Sequence, residues 1–266
     1  METRIVVGII QARMGSSRLP GKVMMDLEGK PAIARAYARA ARAESLDRVL
    51  IATGAAEEDD PIAAFCESQS IPCFRGHVTD VLDRMFHAAK ENSAQIVVRI
   101  TGDCPLIDPE VIDRCVQAFL TAHPPVDFVA NRLPGHRTYP VGLDTEVCSF
   151  DALEQAWSKA DQPYQREHVM PFIYEKPSRF RILCVDAQSD YSHLRWTLDT
   201  KEDLMLLREI YRRFDGRDTF SWLDVLALLE REPELSRLNA GVPQRTYQDE
   251  DTRFMGNKEE RRSGDQ

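Results

Sequence analysis

One stretch of twelve residues carries the densest chemistry in the chain: Gln11-Ala12-Arg13-Met14-Gly15-Ser16-Ser17-Arg18-Leu19-Pro20-Gly21-Lys22. Arg13, Arg18 and Lys22 place three cations within ten residues, and Gly15, Gly21, Ser16 and Ser17 let backbone and hydroxyl donors approach a ligand closely. Arginine suits bidentate phosphate contacts and lysine acts as a point charge, a combination fitted to a triphosphate. The stretch is not a Walker A loop, because five residues rather than four separate Gly15 from Gly21 and Val23 follows Lys22. It is not a G-x-G-x-x-G dinucleotide loop either. Two acids stand in comparable places, Asp103 in Arg99-Ile100-Thr101-Gly102-Asp103-Cys104 and Asp199 in Arg195-Trp196-Thr197-Leu198-Asp199-Thr200. Each alone reads as a turn or cap residue. Together, at the ends of two strands, they can hold Mg²⁺ between themselves and the phosphates of a nucleotide.

These residues need a scaffold that brings them to one edge. Arg4–Ile10 is a β-branched run without polar alternation, as in a buried parallel strand. Further strands are expected at Arg48–Thr53, 72–75, Gln95–Thr101 and Val126–Ala130, with helices from Pro31 and near 58–69, 79–91 and 109–119 between them. Asp108-Pro109-Glu110 reads as an N-cap, a first-turn proline and an acidic first turn. Strands alternating with helices imply an α/β fold with a mostly parallel sheet, and such sheets bind ligands beyond the carboxyl ends of their strands. The rhythm changes at 131. A strand at Gly142–Cys148, helices near 150–159 and 164–175, and strands near 180–185 and 194–198 are expected there. Thr200-Lys201-Glu202-Asp203 resembles a capping box opening a helix, and Ser221–Leu229 is the last one. We read 1–243 as one domain, with 131–198 as an embellishment for the acceptor or for dimerisation, and 244–266 as a flexible polar tail.

Composition restricts the possibilities. With 266 residues, 43% hydrophobic and 29% charged, the chain is an ordinary globular protein. It has no run near the roughly 20 apolar residues that span a bilayer and no basic-then-apolar start, so a cytoplasmic protein without membrane contact is expected. A net charge of −9 argues against nucleic acid as partner, although residues 1–42 carry +5 and the remainder −14. Arg35, Arg39 and Arg42 read as a solvated helix face. The six cysteines contain no C-x-x-C pair, so buried thiols are expected rather than disulfides or zinc ligands.

The Gln11–Lys22 stretch resembles the signature of the cytidylyltransferases that make CMP-sugars, including the CMP-Kdo and CMP-sialic acid synthetases, and is most similar to the SpsF-like spore-coat polysaccharide branch. Gly142-Leu143-Asp144-Thr145-Glu146-Val147, Arg166-Glu167-His168-Val169, and Arg75-Gly76 followed by Asp80-Val81-Leu82-Asp83-Arg84 also look like that branch. The resemblance covers about 4–215. It implies a Rossmann-like nucleotide-diphospho-sugar transferase fold and transfer of CMP from CTP to a sugar acid, with release of pyrophosphate. It implies that Arg13 and Lys22 hold the triphosphate, and that Asp103 and Asp199 hold Mg²⁺. Gln11, Ala12, Gly15, Ser16, Arg18, Arg75, Thr101 and Gly102 would complete the nucleotide site. Asp144, Glu146, Arg166 and His168 are expected at the acceptor, whose carboxylate could also meet Arg132, Arg137 or Arg195. A homodimer through the apolar residues of 131–175 is a further expectation. Another nucleotide, a sugar-phosphate acceptor and a catalytically silent nucleotide-binding protein are the alternatives.

Overall fold

Residues 4–176 and 178–244 are described by the structure, a computed structural model. Six strands build its centre in chain order: β1 (Val6–Gln11), β2 (Arg48–Gly54), β3 (Cys73–Gly76), β4 (Ile96–Thr101), β5 (Phe128–Ala130) and, after a small hairpin, β8 (Glu146–Ser149). The hairpin is β6 (Arg132–Leu133) and β7 (His136–Arg137), and β9 (Ile182–Cys184) closes the sheet. The order across the sheet is β3-β2-β1-β4-β8-β5-β9. All neighbours are parallel except β8, which runs antiparallel to β4 and β5. This is the mostly parallel α/β sheet expected.

Alternation along the buried strands divides the core. Val7, Ile9 and Val97 face α3 (Val81–Glu91) and α5 (Phe150–Lys159), together with the short α6 (Pro163–His168) and α7 (Pro171–Tyr174). Val6, Ile10, Val98 and Ile100 face α1 (Ala32–Ala40), α2 (Asp60–Ser68) and α4 (Pro109–Thr121). A third apolar layer gathers Leu19, Trp196 and Leu198 with α8 (Lys201–Arg213), α9 (Trp222–Arg231) and α10 (Pro233–Arg237). The chain leaves β1 toward β2 and β3, then crosses to β4 on the other side of β1. The strand order therefore reverses at β1/β4, where Gln11 pairs with Thr101. A crevice opens at such a switch point, and both the cationic loop and Asp103 emerge there.

Several expectations are corrected. Arg35 and Arg39 are 0% exposed. Arg35 donates to the Leu27, Glu28 and Gly216 carbonyls and pairs with Asp218 at 3.0 Å. Arg39 donates to the carbonyls of Ile107 and Asp218. Their guanidiniums also lie over the rings of Tyr211 and Phe220, at 4.3 and 4.4 Å. Only Arg42 is exposed. The strand from 142 starts at Glu146, so Asp144 precedes it. Residues 194–198 form no strand; Val141 N–H donates to the Leu194 carbonyl, Trp196 N–H to the Val141 carbonyl and Leu198 N–H to the Asp103 carbonyl. Gly142 (φ +107) lies against this segment, where a Cβ would come within 2.7 Å of the Trp196 backbone. The helix expected at 164–175 breaks at Val169, whose φ of 72 and ψ of −60 form a tight turn a β-branched residue seldom adopts. Of the apolar residues in 131–175, Val141, Val147 and Phe172 lie in the core. Among the cysteines, Cys73 is exposed and Cys184 half-buried. The tail beyond 244 lies outside the described residues.

Candidate active site

The cationic loop is shaped by its own backbone. Gly21 N–H donates to the Met14 carbonyl (2.9 Å), closing the loop on itself, and Met14 N–H donates to Asp59 Oδ1 (2.6 Å), tying it to the segment after β2. Gly21, at φ +69, turns the chain into the short helical turn Lys22–Met24. That turn aims Lys22 inward, with its side chain 11% exposed. Lys22 Nζ donates to Asp103 Oδ2 and, at 2.6 Å, to Asp199 Oδ1. Burial alone would lower the Lys22 pKa, but the two carboxylates outweigh it and the pKa is raised.

Asp199 is held from several sides. Its Oδ2 lies 3.1 Å from Arg18 Nη2 and 2.6 Å from Arg195 Nη2. Burial favours its neutral form, yet Lys22, Arg18 and Arg195 together keep its pKa below the usual carboxylate range. Arg195 is locked by the buried Asp203, which accepts from Arg195 Nε at 3.0 Å. Asp203 also accepts from the N–H groups of Asp199 and Thr200, completing the expected capping box of α8. The helix start thus fixes Asp199. Asp103 and Asp199 converge on one cation, here an ammonium, and both offer only oxygen. That donor set fits Mg²⁺.

Other expected nucleotide contacts gather around the loop. Arg13 Nη2 is 3.0 Å from Glu167 Oε1. Gly102 N–H donates to the Gln11 carbonyl (2.8 Å), and Gln11 Oε1 accepts from Arg99 Nε (2.7 Å). Ala12 N–H donates to the Ala52 carbonyl, Ser16 Oγ accepts from Leu19 N–H, and Thr101 Oγ1 contacts Cys104 Sγ at 2.9 Å. A Cβ on Gly15 would lie 3.5 Å from Glu58 Oε1. Arg75 is turned to the segment after β2, donating to the carbonyls of Gly54 and Ala56 and pairing with Asp60 at 2.6 Å.

A second charged group borders the first. Glu146 pairs with Arg99, and Arg132 Nη2 stands 3.6 Å from Glu146 Oε1. Asp144 accepts from both terminal nitrogens of Arg137, and Arg132 Nε is 3.3 Å away. Burial opposes ionisation of Asp144, but Arg137, Arg132 and Arg99 outweigh it and hold its pKa low. His168 shares the charge field of Arg99, Arg132 and Arg13; burial first, then these guanidiniums, lowers its pKa against the pull of Glu167. Arg166 faces elsewhere, pairing with Asp80 at 2.6 Å and donating to the Trp157 carbonyl at 2.5 Å. Arg195 and Arg137, considered for an acceptor carboxylate, are committed to acids of the protein. Glu167 and Asp203 are participants that the sequence patterns do not mark as site residues. Both lay inside quoted segments, the first beside His168 and the second at the capping-box position.

Comparison with known proteins agrees with this geometry. The sequence profile of a cytidylyltransferase family matches residues 7–230. The spore coat polysaccharide biosynthesis protein SpsF of Bacillus subtilis is 31% identical over 236 residues, covering 86% of this chain and 95% of that protein. The 3-deoxy-manno-octulosonate cytidylyltransferase of Chlorobium limicola is 35% identical over 249 residues, covering 79% of this chain and 98% of that protein. A solved cytidylyltransferase structure from Leptospira borgpetersenii superposes with a TM-score of 0.83 at 31% identity, covering 88% of this chain and 97% of that one.

Proposed function

The chain belongs to the cytidylyltransferase family and is a CTP-dependent nucleotidyltransferase, and from that premise we propose that its acceptor is a sugar acid of the 2-keto-3-deoxy type and its metal Mg²⁺. The product would be a CMP-sugar for surface polysaccharide, in line with the two named relatives. The observation carrying this reading is the convergence of Asp103 and Asp199 on one cation, beside a loop that supplies Arg13, Arg18 and Lys22 at the strand switch point.

The chemistry is an in-line displacement. The acceptor hydroxyl oxygen bonds to the α-phosphorus of CTP and gives up its proton to solvent, the bond from that phosphorus to the β-phosphate bridge breaks, and pyrophosphate leaves. Most of the work is positioning and charge neutralisation. Arg13, Arg18 and Lys22 neutralise the leaving pyrophosphate once released from their carboxylates. Asp103 and Asp199 would hold Mg²⁺, which supplies charge stabilisation at the α-phosphate. Asp144, Glu146 and His168 border the acceptor side, and the Arg99–Gln11 bond fixes the end of β1 between the two groups.

Thermal shift with CTP, UTP, GTP and ATP, each with and without Mg²⁺, tests the nucleotide half. A Mg²⁺-dependent shift with CTP that is lost in Asp103→Ala is expected, because a ligand bound only to the folded state raises stability by mass action. Pyrophosphate release is then assayed over a panel of sugar acids and sugar phosphates. Release with a sugar phosphate only would discard the acceptor proposed.

A further inference from the structure

Three side chains able to bind a transition metal meet at the sheet edge, none of them belonging to the candidate active site. His136 stands on β7, at the tip of the small hairpin. Cys184 ends β9, and Asp186 lies two residues beyond it. One ligand atom from each lies within 4.8 Å of the other two. His136 Nε2 and Asp186 Oδ1 already touch at 2.7 Å. We propose that His136, Cys184 and Asp186 bind a divalent ion of the zinc class, clipping the β6–β7 hairpin to the strand at the edge of the sheet.

The donor set selects the metal. Imidazole nitrogen, thiolate sulfur and carboxylate oxygen are the three zinc ligands, with bonds of about 2.0–2.3 Å, so donors in a tetrahedral site stand roughly 3.3–3.6 Å apart. The separations in the cluster, none above 4.8 Å, exceed that spacing by at most about 1.5 Å. The adjustment falls on side-chain rotation, since the His136 and Asp186 side chains are 51% and 48% exposed. Exposure also gives an ion a path from solvent. Three protein ligands leave the fourth position to water. On binding, the Cys184 thiol releases its proton to solvent and His136 coordinates as neutral imidazole.

Supporting contacts hold the carboxylate in place, as outer partners do in metal sites. Thr138 Oγ1 donates to Asp186 Oδ1 at 3.2 Å and is itself oriented by Ala187 N–H at 2.8 Å. Arg114 donates to the Asp186 carbonyl at 3.3 Å. The softness of the thiolate separates this cluster from the all-oxygen Asp103/Asp199 pair. The hairpin it would clip carries Arg132 and Arg137, both of which reach Asp144.

Cobalt is the direct probe, because Co²⁺ replaces Zn²⁺ and a thiolate–cobalt bond gives a near-ultraviolet charge-transfer band. The reduced full chain is titrated with Co²⁺ in excess Mg²⁺, and Zn²⁺ is then added. One equivalent of Co²⁺ should develop the band and Zn²⁺ should abolish it. Cys184→Ser should lose the band, and His136→Ala and Asp186→Asn should each weaken Zn²⁺ binding by more than the 10–100-fold that loss of a supporting contact costs. Far-ultraviolet dichroism and the metal-free Tm check that each variant is folded; if Cys184→Ser is not, the two variants at exposed positions decide. Absence of a band in the wild-type chain overturns the proposal. So does an unchanged band in Cys184→Ser, which assigns the ion to another thiol such as the exposed Cys73, or unchanged affinity in His136→Ala or Asp186→Asn.

Discussion

Lys22 occupies the point on which two acids converge, and its removal separates two roles. In Lys22→Ala, Asp103 and Asp199 lose their shared counter-ion. kcat/KM for CTP should fall about 10²–10³-fold, the size typical of removing one group that stabilises developing charge. Mg²⁺ alone should then raise the Tm of Lys22→Ala more than that of the wild type, since no ammonium has to be displaced. An equal Mg²⁺ shift in both proteins would mean that the ion binds elsewhere. Asp144 gives a pH test. Its folded pKa lies below the unfolded value of about 3.9, so its contribution is present above that pH and is lost as pH falls through the folded pKa. Asp144→Asn should be less stable than wild type at neutral pH, with the gap closing at the acid end; a gap constant with pH would refute the assignment. At this scale the convergence of Lys22, Asp103 and Asp199 was legible because the acids lie just past runs of strand character and Lys22 ends the glycine-rich loop that follows β1. Glu167 was not legible as a partner, because its contact with Arg13 spans 154 residues and no local pattern encodes it.

Elements were legible where periodicity decides and obscure where a distant layer does. The helical spacing of Ile33, Ala36, Tyr37 and Ala40 marks the core face of α1, and the β-branched runs of β1 and β4 mark two buried strands. The other side of α1 reads as solvated arginine until the turn at 216–218, carried by α8, packs over it and offers Arg35 and Arg39 carbonyls, Asp218 and aromatic rings. A buried guanidinium with several acceptors cannot be removed without leaving those acceptors dry. Arg35→Ala should therefore cost about 3–5 kcal/mol in urea unfolding, and Arg42→Ala about 1 kcal/mol or less. Similar losses for the two would return α1 to a solvated face. The antiparallel β8 and the break at Val169 were equally hidden, one depending on register with β4 and β5 and the other on a backbone angle unusual for valine.

Across the whole molecule, every cation of the nucleotide loop is already paired with an acid drawn from a different part of the chain: Arg13 with Glu167, Arg18 with Asp199, Lys22 with Asp103 and Asp199. The site is self-neutralised, which lets a chain of net charge −9 keep buried acids and bases together without ligand. The same arrangement links its two ligands. Mg²⁺ arriving alone must displace Lys22, leaving an ammonium without its carboxylates. CTP arriving alone must draw Lys22 and Arg18 away, leaving Asp103 without its ammonium and Asp199 with Arg195 alone. Arriving together, metal and triphosphate exchange partners with the protein, and neither set of charges is stranded. Coupling between sites is a free energy shared by both ligands, so each should tighten the other. The Tm gain with CTP and Mg²⁺ together should exceed the sum of the gains with Mg²⁺ alone and with CTP in chelator. Glu167→Gln should raise the shift with CTP in chelator, because Arg13 is freed in advance, while leaving the shift with Mg²⁺ alone unchanged. Simple additivity in the wild type would show that the acids and bases of the crevice act independently, and the exchange of partners would then be wrong even if both ligands bind.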